Sequence, residues 1–426
     1  MSRLALTDLA AARGRRGLTS VCSAHPLVLR AALRLGRQTG ETVLIEATCN
    51  QVNHRGGYTG MTPADFAALV RRLASEEGLP DAQLLLGGDH LGPNPWRDRP
   101  AEAALAEAEE MVAAYVSAGF GKIHLDASMG CADEPPALDD ETTARRAARL
   151  ASVAERVARE KGLPAPRYIL GTEVPTPGGA DHLLDSVAPT APEAARRTIE
   201  VHRMVFARAG LEDAFSRAIA LVVQPGVEFG NRNVIPYDPA RAKALNAVLR
   251  EEPRFVFEAH STDYQGAAPL AALVRGGYAI LKVGPEVTFA LRETLYALDL
   301  IASDLIPGYG ERPLMAAMER AMLDAPRDWQ RHYGTGIDAH LLRHYSLSDR
   351  IRYYWPAPGA QRAVDRLLSA LSGNRLPMPL LRQHLPAALS LADQPLDPEA
   401  LLISRVMDAL RPYSAACLQD DAATPA

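Results

Sequence analysis

The chain is poor in the features that would name a protein class at once. It has four cysteines in 426 residues, Cys22, Cys49, Cys131 and Cys417, and no C-x-x-C pair. That is no disulfide framework for a chain of this length, and it points to a reducing cytoplasm. Cys22 and Cys49 sit in or just after apolar runs and read as small packed hydrophobes. No apolar run approaches the length needed to cross a bilayer, so no membrane association is expected. The start, MSRLALTDLAAARGRRG, lacks a continuous apolar segment, so no signal peptide is expected either. With 46 Lys and Arg against 51 Asp and Glu, the net charge of −5 gives no reason to expect nucleic-acid binding. No G-x-x-x-x-G-K-[ST] loop supports a nucleotide kinase, and no G-x-S-x-G elbow supports a hydrolase.

What is present is a regular alternation. Hydrophobic residues make up 47% and charged residues 23%, as in an ordinary soluble protein. Eight short apolar runs recur, at 18–25, 42–50, 83–90, 122–128, 168–175, 218–226, 254–260 and 279–285. They are near-continuous rather than alternating, as expected for strands covered on both faces. Amphipathic helical stretches lie between them. One ends on Gly40, a C-cap; another opens with Thr62 as N-cap and Pro63 in the first turn. Eight strand–helix repeats predict an α/β fold, a (β/α)8 TIM barrel over residues 1–299. A doubly wound open sheet is the alternative; it would gather polar strand ends at one switch point only. After 299 the pattern turns helical with Pro and Gly breaks and carries the aromatic knot Tyr353-Tyr354-Trp355. Residues 300–426 are read as a C-terminal helical extension packed on the barrel.

The strand ends hold the chemistry. The stretch LGGDHLGPN places Asp89 and His90 where an apolar strand stops. Other strands end in His25, Glu46, His124 with Asp126, Glu173, Gln224 with Glu228, Glu258 with His260, and Lys282. In a barrel those ends and the loops after them form the active face. Histidines and carboxylates from separate strands suit a divalent cation with open positions for substrate oxygens. His90, Glu173 and His260 are the expected ligands, with Gln224 as a further oxygen donor. Asp89, Asp126 and Glu228 are candidates for proton transfer, the competing role for each being to orient a neighbouring ligand. Asp89 carries a difficulty, since strand alternation sends it and His90 to opposite sides. Glu46 and His124 are expected too deep to touch substrate. Gln51, Asn53, Ser261, Asp263 and Lys282 are the expected substrate contacts. The Gly-rich loop 51–63 reads as a lid, and Arg55 or Arg232 as a weak candidate for phosphate.

Several stretches also carry a resemblance. SVCSAHP, GGYTGMTPADF, LGGDHLGPN, KIHLDASM, GTEVP, QPGVEF, EAHSTDYQ, LKVGP and YSLSDRIRYYWP are similar to the Z-type subunit family of class II D-tagatose-1,6-bisphosphate aldolase. The likeness runs from near the N-terminus to about Trp355. It implies a (β/α)8 barrel related to metal-dependent aldolases. It implies either of two activities: metal-dependent 4-epimerisation of a ketohexose or hexuronate, or a non-catalytic subunit that stabilises a separate aldolase chain. In class II aldolases an Asp-His pair supplies a base and a metal ligand. GGDH matches that pair at Asp89 and His90, and AHST puts His260 where a later metal histidine falls. QPGVE lacks the middle metal histidine and offers Gln224 or Glu228 instead, which argues against ordinary bisphosphate cleavage. The expectation is a ketohexose or ketohexose-phosphate enzyme of retro-aldol type that inverts C4. Its expected cofactor is a divalent ion, Zn, Mn or Ni. Its expected partners are a sugar, further copies of itself and, in the second reading, a catalytic aldolase subunit.

Overall fold

The computed structural model describes residues 3–171 and 186–418. Eight parallel strands close on themselves in chain order. They are β1 (Leu18–Val21), β2 (Val43–Thr48), β3 (Leu84–Leu91), β4 (Lys122–Leu125), β5 (Arg167–Leu170), β6 (Ala218–Val222), β7 (Val256–Ala259) and β8 (Tyr278–Val283). β1 pairs with β8, Leu18 opposite Ile280 and Ser20 opposite Lys282, so the ring has no free edge. This is the closed barrel, not the open sheet. The main helices around it are α1 (Pro26–Thr39), α2 (Pro63–Glu76), α3 (Ala101–Ser117), α4 (Asp140–Glu160), α5 (Pro192–Arg208), α6 (Pro239–Ala247), α7 (Ala267–Arg275) and α8 (Pro285–Leu305). The caps fall where the sequence put them. Gly40 ends α1 at φ 76, and the Thr62 side chain accepts from the Asp65 amide at the start of α2. After β6 the chain adds a two-stranded ribbon, Glu228–Phe229 against Val234–Ile235.

Every second strand residue points into the ring, so the interior is built in tiers. The floor is apolar: Leu18, Leu44, Ile169, Ala220, Val256 and Ile280, with Leu4, Leu6 and Leu9 of the N-terminal segment in the same cluster. Two residues further along their strands come Ser20, Glu46, Glu258 and Lys282, joined by Lys122 of β4, all buried. Lys122 Nζ lies 2.7 Å from Glu46 Oε1 and 2.8 Å from Glu258 Oε2. Ser20 Oγ donates to Glu46 at 2.6 Å. The near-continuous apolar reading of the strands thus hides an inner face that is charged at mid-height. Gly87 makes room for it, since a Cβ there would meet Glu46 Cγ at 2.8 Å. Attraction to Glu258 and Glu46 overcomes the burial that would lower the Lys122 pKa, and holds it above the usual range.

The C-terminal extension consists of α9 (Pro313–Asp324), α10 (Gly336–Tyr345), α11 (Pro358–Leu371), α12 (Met378–His384) and α13 (Pro398–Cys417). The boundary expected at 299 falls inside α8, which runs on to Leu305. Asp299 itself ties the two parts together. It accepts from Tyr309 Oη at 2.7 Å and from the α9 amides of Leu314 and Met315 at 3.3 and 3.1 Å. α13 packs over α1, α7 and α8. The Gly17 amide donates to the Cys417 carbonyl at 3.1 Å, so α13 also touches the start of β1. Among the described residues no helix is long and apolar enough to cross a membrane.

Candidate active site

The Asp89–His90 difficulty is resolved by the backbone. His90 adopts φ 51, a left-handed conformation that non-glycine residues rarely take. The pairing of β3 with β4 shifts register between Gly88 and Leu91. The irregularity turns both side chains to the barrel mouth, as bulges beside active sites do. Holding a residue there costs on the order of 1–3 kcal/mol, which the surrounding packing must offset.

Asp89, His90, His124 and His260 meet at the top of the ring. Each is buried, and each offers a donor atom within 4.8 Å of the others. The His90 and His260 rings stand 4.8 Å apart at 88°, and His124 lies 5.0 Å from the first and 5.4 Å from the second. Asp126 Oδ2 bonds His90 Nδ1 at 2.8 Å, which leaves Nε2 turned towards Asp89 Oδ2 at 3.7 Å. A histidine held through one nitrogen by a carboxylate, with the other nitrogen facing a second acid, is oriented as metal ligands are. His124 is the third imidazole. Its Nε2 faces the Gly171 carbonyl at 2.9 Å, which can only accept, so that nitrogen carries a proton. In the neutral ring Nδ1 then accepts from the His90 amide at 3.2 Å and lies 3.0 Å from Asp89 Oδ1. The donor set, three imidazoles and one carboxylate, fits a borderline divalent ion.

The electrostatics agree. Burial pushes His260 down to about 4, so it stands as a neutral imidazole beside Glu258. Burial would raise Asp89, but His90 and Lys282 outweigh it and hold the carboxyl well below the usual range. Lys282 Nζ sits 2.9 Å from Asp89 Oδ1 and 3.2 Å from Glu46 Oε2, linking the mouth to the charged tier below. Burial pushes Glu228 up to about 7, with the Phe229 amide and Ser261 acting against it. Burial likewise raises Asp263 to about 6, although it accepts from the Gly284 amide at 3.0 Å and the Glu286 amide at 2.8 Å.

Above the cluster opens a cavity of about 100 Å³. Asp89, His90, His260, Lys282, Gln51, Ser261 and Asp263 all line it, so seven residues expected at the site meet there. Others do not. Gln224 spends its Oε1 on the amides of Gly226 and Val227, at 2.8 and 2.9 Å, and does not line the cavity. Asn53 is likewise used by its own loop, donating to Cys49 O and accepting from the Arg55 and Gly57 amides. Asp126 orients His90 rather than lining the cavity. Glu228 stands behind Phe229 and Ser261, which do line it. Glu173 lies outside the described residues.

The loop 51–63 is a wall rather than a free flap. Arg55 Nε and His54 Nε2 hold Glu107 of α3 at 2.7 and 2.9 Å. Gly57 can be nothing larger, since it has φ 57 and a Cβ would lie 2.4 Å from Gln51 O. Arg232 pairs with Asp338 at 2.7 Å, so neither arginine singled out for phosphate faces the cavity. His124 was expected to lie too deep to touch substrate, and it is fully buried and does not line the cavity; it joins the cluster from below because Lys122, His124 and Asp126 share one strand face by simple alternation. Two contributors were missed. Arg352 and Tyr353 reach the cavity from the extension, and no spacing in the chain announces it.

A closed parallel barrel whose mouth gathers a His/Asp cluster, an amine and a polar cavity has the build of a (β/α)8 enzyme. The family described as D-tagatose-1,6-bisphosphate aldolase subunit GatZ/KbaZ-like matches residues 5–418, and the chain belongs to that family. It is 62% identical to a D-tagatose 6-phosphate 4-epimerase of Agrobacterium fabrum (strain C58 / ATCC 33970), over 96% of this chain and 98% of that one. It is 48% identical to the D-tagatose-1,6-bisphosphate aldolase subunit GatZ of Salmonella heidelberg (strain SL476), over 95% of this chain and 96% of that one. A crystal structure from Sinorhizobium meliloti 1021, described as a probable tagatose 6 phosphate kinase, superposes with a TM-score of 0.86 at 51% identity. It covers 94% of this chain and 100% of that one.

Proposed function

We propose that the chain is a metal-dependent ketose 4-epimerase acting on a ketohexose 6-phosphate of the tagatose/fructose type. The observation that carries the reading is the convergence of Asp89, His90 and His260 on the floor of a polar cavity, with His124 buried beside them. The 62% identical relative named for 4-epimerisation of tagatose 6-phosphate supports the substrate class. His90, His260 and Asp89, with His124 beside them, would hold a zinc, manganese or nickel ion. Such an ion supplies Lewis-acid polarisation of the C2 carbonyl.

The chain's own groups divide the remaining work. Asp89 is held ionised by its cationic neighbours, and Asp126 is committed to His90, so neither is the best proton shuttle. Glu228, brought near neutrality by burial, receives the C4 hydroxyl proton by way of Ser261, which bonds it and lines the cavity, as the C3–C4 bond breaks and its electron pair passes to C3. Lys282 stands by as positive charge for the enediolate that results. The aldehyde fragment turns within the cavity and presents its other face. C3 then re-forms the bond, and Glu228 returns the proton to the inverted hydroxyl. Tyr58, Tyr353 and Phe229 wall the space in which the fragment turns.

The test is the purified chain with Mn²⁺, Zn²⁺ or Ni²⁺ and tagatose or fructose 6-phosphate. Interconversion that EDTA abolishes and metal restores is expected. Interconversion indifferent to chelation, or ATP consumption in its place, overturns the reading. A second reading, a subunit that stabilises an aldolase chain, is favoured by one surface. Ile337, Leu341 and Tyr345 recur every fourth residue on α10, exposed by 72%, 44% and 45%. We assign partner contact, with a further copy or an aldolase subunit, to that stripe; Ile337→Asp should weaken self-association or co-purification on a sizing column. A cytoplasmic location is our reading of the four free thiols.

A further inference from the structure

The cavity is not made by the barrel alone. The short turn Arg350–Tyr354 of the extension forms part of its wall, with Arg352 and Tyr353 lining it. The turn is fastened on three sides. Asp349, buried at φ 45, receives Arg292 Nε and Thr288 Oγ1 of α8, each at 2.7 Å. Tyr353 packs edge-on against Tyr58 of the β2 loop, ring centres 4.8 Å apart. Trp355 packs against His25 after β1 at 6.3 Å. A side chain on this turn is therefore held by the fold rather than left to search.

The hydrogen bonds of Arg352 are countable. Nη1 donates to the carbonyls of Ser348 and Asp349, and Nη2 donates to Tyr353 Oη at 2.9 Å. A guanidinium has five N–H groups, so two remain without a protein acceptor. Among the described residues no carboxylate lies within ion-pair distance of Arg352. The contrast with the other cation of the cavity is sharp, because Lys282 is committed to Asp89 and Glu46. The two arginines singled out from sequence are committed too, Arg55 to Glu107 and Arg232 to Asp338.

We infer that Arg352 is the specificity residue for the anionic end of the substrate: its spare N–H groups take a phosphate oxygen while the opposite end of the sugar lies at the His/Asp cluster. The inference rests on the epimerase reading for the identity of the sugar, but not for the binding of phosphate. A dianionic group gains charge-assisted hydrogen bonds from a fixed guanidinium, and an unphosphorylated ketose gains none. The C-terminal extension then selects the substrate on which the barrel acts.

The experiment compares the metal-loaded wild type with Arg352→Gln and Arg352→Lys, each checked for an unchanged melting temperature. Two quantities are read: the ratio of kcat/KM for the 6-phosphate to that for the free ketose, and the inhibition constant of inorganic phosphate. In Arg352→Gln both should move about 10–100-fold against phosphate. Arg352→Lys should recover part of the loss, since the charge returns without the fork. Should Arg352→Gln fail to fold, Arg352→Lys carries the same test with a smaller expected shift. If the wild type turns over neither sugar, the epimerase reading falls, and calorimetric titration with inorganic phosphate decides the subsite separately. Binding by wild type that Arg352→Gln or Arg352→Lys weakens upholds the assignment. An unchanged preference ratio, or phosphate binding indifferent to residue 352, overturns it.

Discussion

Three histidine–carboxylate clusters occur among the described residues, and the one at the barrel mouth differs from the one in the extension in what the carboxylate has left to give. At the barrel mouth Asp89 commits Oδ1 to Lys282 at 2.9 Å, with His124 Nδ1 alongside, while Oδ2 has His90 Nε2 at 3.7 Å. In the extension Glu319 meets His340 at 3.2 Å and His344 at 3.0 Å, but Arg343 grips both of its oxygens. His344 also bonds Tyr296 Oη at 2.8 Å, and Arg343 lies over the Trp329 ring at 4.7 Å. The first group borders a cavity and keeps room between its donors. The second is a finished knot whose charge is already balanced by a guanidinium. Metal-like spacing is therefore not enough; an ion needs a carboxylate that no arginine has taken.

The strongest attempt to break this comparison is to remove one histidine from each side. His260→Ala should lower metal affinity by more than the roughly 100-fold cost of losing a mere supporting hydrogen bond, and turnover with it. His340→Ala should leave the metal content per chain unchanged. Elemental analysis after dialysis reads both, and retained metal in His260→Ala together with loss in His340→Ala would reverse the assignment. Below the mouth the charged tier should prove structural. Lys122→Met leaves Glu46 and Glu258 buried without their shared cation and should cost about 3–5 kcal/mol in urea unfolding. A loss under about 1 kcal/mol would mean that Lys282 alone neutralises both acids.

Glu228→Gln sharpens the comparison from the catalytic side. It should lower kcat by roughly 10²–10⁴ with little change in metal content. The wild-type rate should rise with pH through about 7, where the buried carboxyl ionises, and the variant should lose that limb. A pH profile unaltered by the substitution would remove Glu228 from the reaction. The smallest effect belongs to Glu286, raised to about 7 by burial and by Asp263. Its folded pKa lies above the ordinary 4.5, so the native state holds the proton more tightly. That contribution to stability is complete below about pH 4.5 and is lost as pH rises through 7. Glu286→Gln should flatten the fall in melting temperature over that window by a few degrees, as calorimetry at stepped pH would show.

Much of this was legible in the chain. The eight apolar runs, their helical spacers and the polar strand ends were enough for a barrel with its chemistry at one rim. Asp89, His90, His260 and Lys282 follow from that placement alone. What stayed hidden did so for physical reasons. The φ 51 backbone at His90 overrides the alternation that would have parted it from Asp89, and nothing in the local residues demands it. Gln224 carries a ligand's chemistry, but the tight turn at Gly226 claims its oxygen. Arg352 lies far along the chain from every strand, and only the docking of its turn against α8, Tyr58 and His25 brings it to the cavity. Fold was written locally, while part of the site depends on tertiary closure.

The last helix has a consequence for how the chain is made. β1 cannot close the ring until β8 exists, and Cys417, near the end of the described chain, bonds Gly17 at the start of that first strand. Tyr413 reaches the Thr262 carbonyl at 2.6 Å, in the loop that carries His260 and Ser261. Segments far apart in the chain thus meet, and contacts of such large sequence separation form slowly. During synthesis the seam beside β1 stays open until β8 has emerged, and α13 packs over that side only later.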